Sequence, residues 1–353
     1  MIKRFVAMLA VAVLLAGSAL FYYQKTGTRT DGVFYQASGV RPDAPLIRVD
    51  GAAVTAEEYF YWLDSVCEYL ASYAGGTPDF NAAVTESMTL GQFAKADAAK
   101  TVILYAVVRD MAQKYEISLT EEDHAQLDTQ HQQYVAYYGG QETYLRQLQL
   151  LGISQEMLRR IEEVPYLYNR LFRAYADPAG KLYPGEEALR SYGEEKGFVT
   201  AQLLYFPTAD LTGSEKAAMR DIASDYAAQL TAAADKQSTY AVLATQLGLT
   251  VSADGFTFSA VDSDAAVYQG VAALAPGQVS GVVEGASGFY VALRTETNYA
   301  ALSQDLFNIY LQDRQDSAKV EYSDRYYDRI DAGSFYIALR EARSVLMQAL
   351  SKR

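Results

Sequence analysis

The chain has 353 residues, half of them hydrophobic, which is enough apolar surface for more than one core and too much for wholesale disorder. Acidic residues outnumber basic ones 43 to 30, for a net charge of -13, and no run of lysines or arginines could follow a phosphate backbone, so nucleic acid is not an expected partner. A single cysteine, Cys67, rules out an intramolecular disulfide and a cysteine metal cluster.

Lys3 and Arg4 precede an uncharged run, "FVAMLAVAVLLAGSALFYY" (residues 5–23), which as a helix would span about 28 Å, close to a bilayer core. Residues 1–29 therefore read as a signal anchor with a cytoplasmic N-terminus and the rest of the chain outside. The alternative is a signal peptide cleaved after Gly17-Ser18-Ala19, which would release the protein. No cysteine follows the run, so a lipoprotein anchor is excluded. Residues 30–45, with Gly32, Gly39, Pro42 and Pro45, read as a flexible linker.

"LIRVDGAAVTAEEYFYWLDSVCEYL" (46–70) predicts a short strand, a turn at Asp50-Gly51, and a helix opened by a capping box of Thr55 and Glu58. Behind that cap, Tyr59, Trp62, Leu63, Val66, Cys67 and Leu70 recur at helical spacing, which makes Cys67 a packing residue. Further helices are expected at 86–115, 121–138, 141–151 and 154–176, broken by Gly139-Gly140 and Gly152. His124 and His131 share a helix face with Leu127, Tyr134 and Tyr138, a packing arrangement without a third metal ligand. Glu121, Glu122 and Asp123 follow Thr120 at a helix start, where the helix dipole favours negative charge.

From about 198 the texture changes. "FVTAQLLYFP" (198–207) reads as a strand, 214–234 and 238–247 as helices, "GFTFS" as a strand, and 277–296 as a hairpin turning between Gly285 and Gly288. "DSDAA" (262–266) lacks the glycine and glutamate of a calcium loop and starts a helix instead. Residues 299–353 return to helical character. No nucleophile elbow, P-loop or dinucleotide fingerprint is present.

The order Leu274, Pro276, Gly277, Ser280, Gly288 within "ALAPGQVSGVVEGASGFYVALR" resembles the closing motif of parvulin-type prolyl isomerases. "FVTAQLLYF" resembles their first strand, "TYAVLATQLGL" their middle helix, and Asp254-Gly255 a remnant of their glycine-rich turn. "IRVDGAAVTAEEYFYWL", "GGQETYLRQLQLLGISQEMLRRIEEVPYLYNRLF" and "VEYSDRYYDRIDAGSFY" resemble the flanks of SurA/PrsA-type extracytoplasmic foldases. The resemblance implies an α+β protein: an N-terminal membrane helix, a mainly helical chaperone lobe (46–190) completed by the C-terminal segment (299–353), and an inserted parvulin-like domain (196–298).

Parvulins place two histidines on the floor of a prolyl pocket. The resemblance puts Gln202 and Tyr290 at those positions, able to bond each other or a peptide, with Val267, Tyr268 and Ala272 along a wall where aromatics are usual. The implied function is a holdase chaperone for unfolded or nascent secreted polypeptides, with weak or absent isomerase activity and no cofactor. The alternatives are an active prolyl isomerase and a structural docking partner in an envelope assembly; a homodimer is a further expectation. Tyr59, Trp62, Tyr134, Tyr137, Tyr138, Tyr166 and Tyr168 are the candidates for a peptide-holding surface.

Overall fold

Gly39 closes a first short helix, α1 (Val33–Ser38), by adopting a left-handed φ of 67° from which its N–H donates to the Tyr35 carbonyl. The computed structural model describes residues 32–351, so the apolar run at 5–23 and the expected anchor or signal over 1–29 lie outside the described residues. Among the described residues no helix is long and apolar enough to cross a membrane. Val33 and Phe34 are buried, and the Phe34 ring lies 5.9 Å from that of Phe60 and 6.1 Å from that of Phe335. The expected linker is thus folded from α1 onward. Its glycines and prolines suggested flexibility, but two anchored apolar side chains overrule them.

The described residues form two compact units. One runs to Leu171 and resumes at Leu311; the other is Phe172–Tyr310. In the first, β1 (Pro45–Val49) and β2 (Ala52–Thr55) pair antiparallel around Asp50 and Gly51, whose φ values of 49° and 86° suit a tight hairpin. Helix α2 (Ala56–Ala74) begins at Thr55, whose side chain accepts from the Glu58 N–H. The expected capping box is only half formed: the Glu58 carboxylate accepts instead from Arg109 Nη1 at 2.7 Å. Tyr59, Leu63 and Cys67 are fully buried on the stripe the spacing marks out, and burial pushes the Cys67 thiol up to about 12.

Residues 86–89, expected to open the next helix, instead form the turn and second strand of a small hairpin of β3 (Ala83–Thr85) and β4 (Met88–Thr89). Helix α3 (Leu90–Lys114) then starts with a complete capping box of Thr89 and Gln92. Helices α4 (Glu121–Tyr137), α5 (Gln141–Leu151) and α6 (Gln155–Ala176) follow, separated at Gly140 and Gly152, both with positive φ.

The second unit continues through α7 (Glu186–Glu195), β5 (Val199–Pro207), α8 (Gly213–Ala232), α9 (Lys236–Gln246), β6 (Phe256–Phe258), α10 (Ala265–Ala272), β7 (Val283–Gly285) and β8 (Gly288–Thr295). Its four strands are antiparallel in the order β6-β5-β8-β7. Both faces of the sheet are covered. Leu204, Phe206, Phe289, Val291 and Leu293 pack on α8 and α9 through Ala223, Ala227, Leu230, Tyr240 and Leu243. Val199, Ala201 and Ala292 pack with Phe258 and with Val271 of α10. Each such buried leucine or phenylalanine contributes about 1.5–3 kcal/mol of transfer free energy.

The chain returns to the first unit through α11 (Ser303–Ser317), β9 (Val320–Tyr322) and α12 (Ala332–Leu350). Strand β9 pairs antiparallel with β1, Tyr322 opposite Ile47, so one three-stranded sheet holds segments from both parts of the chain. Phe335 of α12 stacks on Phe60 of α2 at 4.7 Å. The architecture is α+β.

Candidate functional site

Strands β5 and β8 pair in unbroken register from Thr200 opposite Thr295 to Pro207 opposite Gly288. Directly opposed residues of an antiparallel pair share a face, and neighbours along a strand alternate. Gln202 lies opposite Leu293, on the α8/α9 face with Leu204 and Val291. Tyr290 lies opposite Tyr205, on the α10 face with Leu203 and Ala292. The two polar residues expected to cooperate therefore stand on opposite sides of one sheet and do not bond each other. The resemblance rests on their order along the chain, whereas the face of each is set by strand register.

Gln202 is 2% exposed. Its Nε2 donates to the carbonyls of Ser252 (3.2 Å) and Ala253 (3.0 Å), just before the Asp254-Gly255 turn, and its buried Oε1 has no protein partner. The amide fastens that turn to the sheet. Tyr290 is half-buried; its hydroxyl pairs with Ser287 Oγ at 2.8 Å and its ring lies 5.0 Å from that of Tyr205. Tyr205 donates in turn to the Ser287 carbonyl at 3.0 Å.

Helix α10 closes over this corner because glycines let it approach. A Cβ at Gly285 would come within 2.9 Å of the Tyr290 ring and 3.2 Å of Val267, and one at Gly270 within 2.7 Å of Val283. Asp264 caps α10 and also accepts from the Ala286 N–H at 2.7 Å; that bond and the Val267 and Ala266 N–H bonds hold its carboxyl below the usual range. Val267 is buried in this contact, Tyr268 donates to the Gly197 carbonyl at 2.9 Å, and Ala272 faces solvent. Of the five expected site positions, Val267 and Tyr290 thus meet at Gly285, whereas Gln202 stands on the other face of the sheet and Ala272 faces solvent. The histidines and the cysteine of the chain all lie outside Phe172–Tyr310, so this unit has no imidazole or thiol to move a proton.

In the first unit the aromatic candidates separate. Tyr59 is core, its ring edge against Phe60 and its hydroxyl donating to the Lys95 carbonyl. Trp62 is half-buried between the Tyr61 and Tyr105 rings, at 5.4 and 5.1 Å. Tyr138, Tyr166 and Tyr168 are half-buried, whereas Tyr134 and Tyr137 are exposed. His131 edges onto Tyr144 at 5.1 Å and His124 faces solvent. Tyr61, Tyr105 and Tyr144 were not among the candidates, although Tyr61 and Tyr105 flank Trp62 on adjoining helices.

Between α4 and α6 runs an open groove of about 700 Å³, lined by Glu122, Gln126, Gln130, Gln133, Tyr134 and Tyr166. Its amides and phenols can donate to and accept from a peptide backbone while the rings cover apolar side chains. Beside it, Asp123 of α4 accepts from Arg170 Nε of α6 at 2.8 Å and from the Thr120 N–H, and these bonds hold its carboxyl far below the usual range.

No family profile and no curated protein matches the chain. Among solved structures it is similar to the foldase protein PrsA of Streptococcus pneumoniae, with 18% identity, 74% of this chain and 93% of that one covered, and a TM-score of 0.28. PrsA of Bacillus subtilis gives 15% identity, 76% and 93% coverage, and a TM-score of 0.27. One of the SurA-like chaperones PEB4 and Cj1289 of Campylobacter jejuni gives 12% identity, 80% and 99% coverage, and a TM-score of 0.24. These structures are of the SurA/PrsA type that the sequence resembles.

Proposed function

We propose that the chain is an extracytoplasmic folding factor that holds non-native polypeptides, with residues 1–29 as its anchor or cleaved signal, and that its parvulin-like unit does not isomerise prolyl bonds. The observation that carries this reading is the placement of Gln202 and Tyr290 on opposite faces of the sheet. A catalyst must favour the twisted prolyl amide over the planar one across a barrier of about 18–20 kcal/mol, which needs groups converging on one bond. Here Gln202 is engaged by two backbone carbonyls, and the β5 neighbours on the Tyr290 face include Leu203, which handles no proton. Holding needs only exposed, sequence-tolerant surface, which the α4/α6 groove and its tyrosines supply.

The test pairs two measurements on the purified protein: light scattering from a client diluted out of denaturant, and prolyl exchange in a short peptide by NMR. Suppressed scattering with exchange at the uncatalysed rate supports the reading. Acceleration that disappears in Tyr290→Phe would make the protein an isomerase instead. Failure of both, with one stoichiometric partner recovered on pull-down, would make it a docking component.

A further inference from the structure

A concavity of about 490 Å³ in the first unit is walled by the end of α1, from Ala37 to Val40, and by the turn between β9 and α12. Arg325, Tyr326 and Arg329 of that turn all line it. Among the described residues neither guanidinium makes a hydrogen bond or ion pair, and the Tyr326 hydroxyl makes no hydrogen bond. The Arg325 guanidinium lies 5.0 Å from the Tyr326 ring centre, a contact that uses its flat face and leaves its N–H edge open. The turn is fastened from within, Tyr326 N–H to the Ser323 carbonyl and Ile330 N–H to the Tyr327 carbonyl, each at 3.1 Å. The one carboxylate in the lining, Asp331, is taken up by the Ser334 N–H at 2.8 Å, and Asp324 and Asp328 of the same turn are not part of the lining.

Two guanidiniums and a phenol that share one concavity without a protein acceptor offer several N–H groups and an O–H to the oxygens of a single tetrahedral anion. Val40, Ile330 and Phe335 line the same space, so it suits an anion joined to carbon better than a bare ion. Its place in the chain narrows the source. Helix α1 is the first described element, and the nine residue steps from Tyr23 at the end of the apolar run to Gly32 reach at most about 32 Å. On the anchor reading above, we propose that this concavity takes the phosphate of an anionic phospholipid headgroup, so that the first unit rests on the membrane that holds its N-terminus. Arg325 and Arg329 bond the phosphate oxygens, Tyr326 donates a further bond, and the glycerol lies against Val40 and Ile330. A chain of net charge -13 is repelled by an anionic surface over most of its own, and these two cations choose the face that approaches it.

The test is backbone hydrogen exchange on the purified full chain with vesicles of phosphatidylcholine, alone or with about a third phosphatidylglycerol. In the mixed vesicles exchange over residues 33–40 and 323–331 slows about tenfold, and about 1 M salt restores it. Arg329→Gln removes most of that slowing, whereas Arg48→Gln, the same loss of charge outside the concavity, leaves it. Both arginines are exposed, and circular dichroism checks that each variant folds. No slowing in the mixed vesicles, or an equal loss in Arg48→Gln, overturns the inference. Equal slowing by inorganic phosphate with phosphatidylcholine vesicles overturns the lipid assignment and makes the ligand a free anion. Flotation on the same vesicles reports the anchor separately: a chain that stays in solution with phosphatidylcholine alone, yet slows with phosphatidylglycerol, overturns the anchor reading and leaves this site standing.

Discussion

Arg343 and Asp64, 279 residues apart in the chain, form a two-point ion pair, Nη1 to Oδ1 at 3.0 Å and Nη2 to Oδ2. The same guanidinium donates from Nε to the Leu150 carbonyl at 2.7 Å, so one side chain of α12 joins α2 and α5. Both partners are largely buried, at 15% and 8% side-chain exposure. Arg343→Met leaves the Asp64 carboxylate buried without its cation and should destabilise the protein by about 3–5 kcal/mol, read as a lowered urea midpoint. The double variant Arg343→Met with Asp64→Leu should recover much of that loss. A loss below about 1 kcal/mol in the single variant would show that water replaces the cation.

The Asp123 pair predicts an acid limit. Its carboxyl is depressed when folded, chiefly by Arg170, so its contribution is fully present above the unfolded value near 3.9 and is lost as pH falls below it. The stability difference between the natural protein and Asp123→Asn should therefore be constant from pH 7 to about pH 5 and shrink steadily below about pH 4. A difference that persisted undiminished at low pH would mean that the side chain acts by shape alone.

Replacing Gln202 and Tyr290 together by histidine should not create an isomerase, because the two imidazoles would point to opposite faces. In that variant the ring titrations followed by NMR should be independent. In Leu203→His with Tyr290→His, residues on one face and diagonal across neighbouring strands, they should be coupled. Coupled titration in the first pair would refute the register.

Gly285→Ala tests the close approach of α10 to the hairpin. The added methyl meets the Tyr290 ring and Val267, neither free to retreat, and should cost about 1–3 kcal/mol. Gly281→Ala, where nothing lies within 4 Å, is the matched control and should be nearly neutral by thermal melting.

Much of the fold was legible because its signals are local. Thr120 before Asp123, and Gly140 and Gly152 between apolar stripes, mark helix ends that depend on a few consecutive residues. The six-residue helix α1 was not legible: it is too short for periodicity, and it exists because Phe34 finds Phe60 and Phe335, which are distant in sequence. The candidate site failed for a related reason. Gln202 and Tyr290 were placed by motif order, but a strand's face is decided by its partner, and one residue of register exchanges Gln202 for Leu203.

The pairing of β9 with β1 sets the order in which the protein can be made. Ile47 has no partner in Tyr322 until the segment carrying β9 has left the ribosome, and Phe60 waits longer still for Phe335. The Phe172–Tyr310 unit is complete earlier and needs only its own contacts, so it should be the first to resist protease on a nascent chain. Until Phe335 has emerged, the aromatic face of α2 around Phe60 stays uncovered by α12.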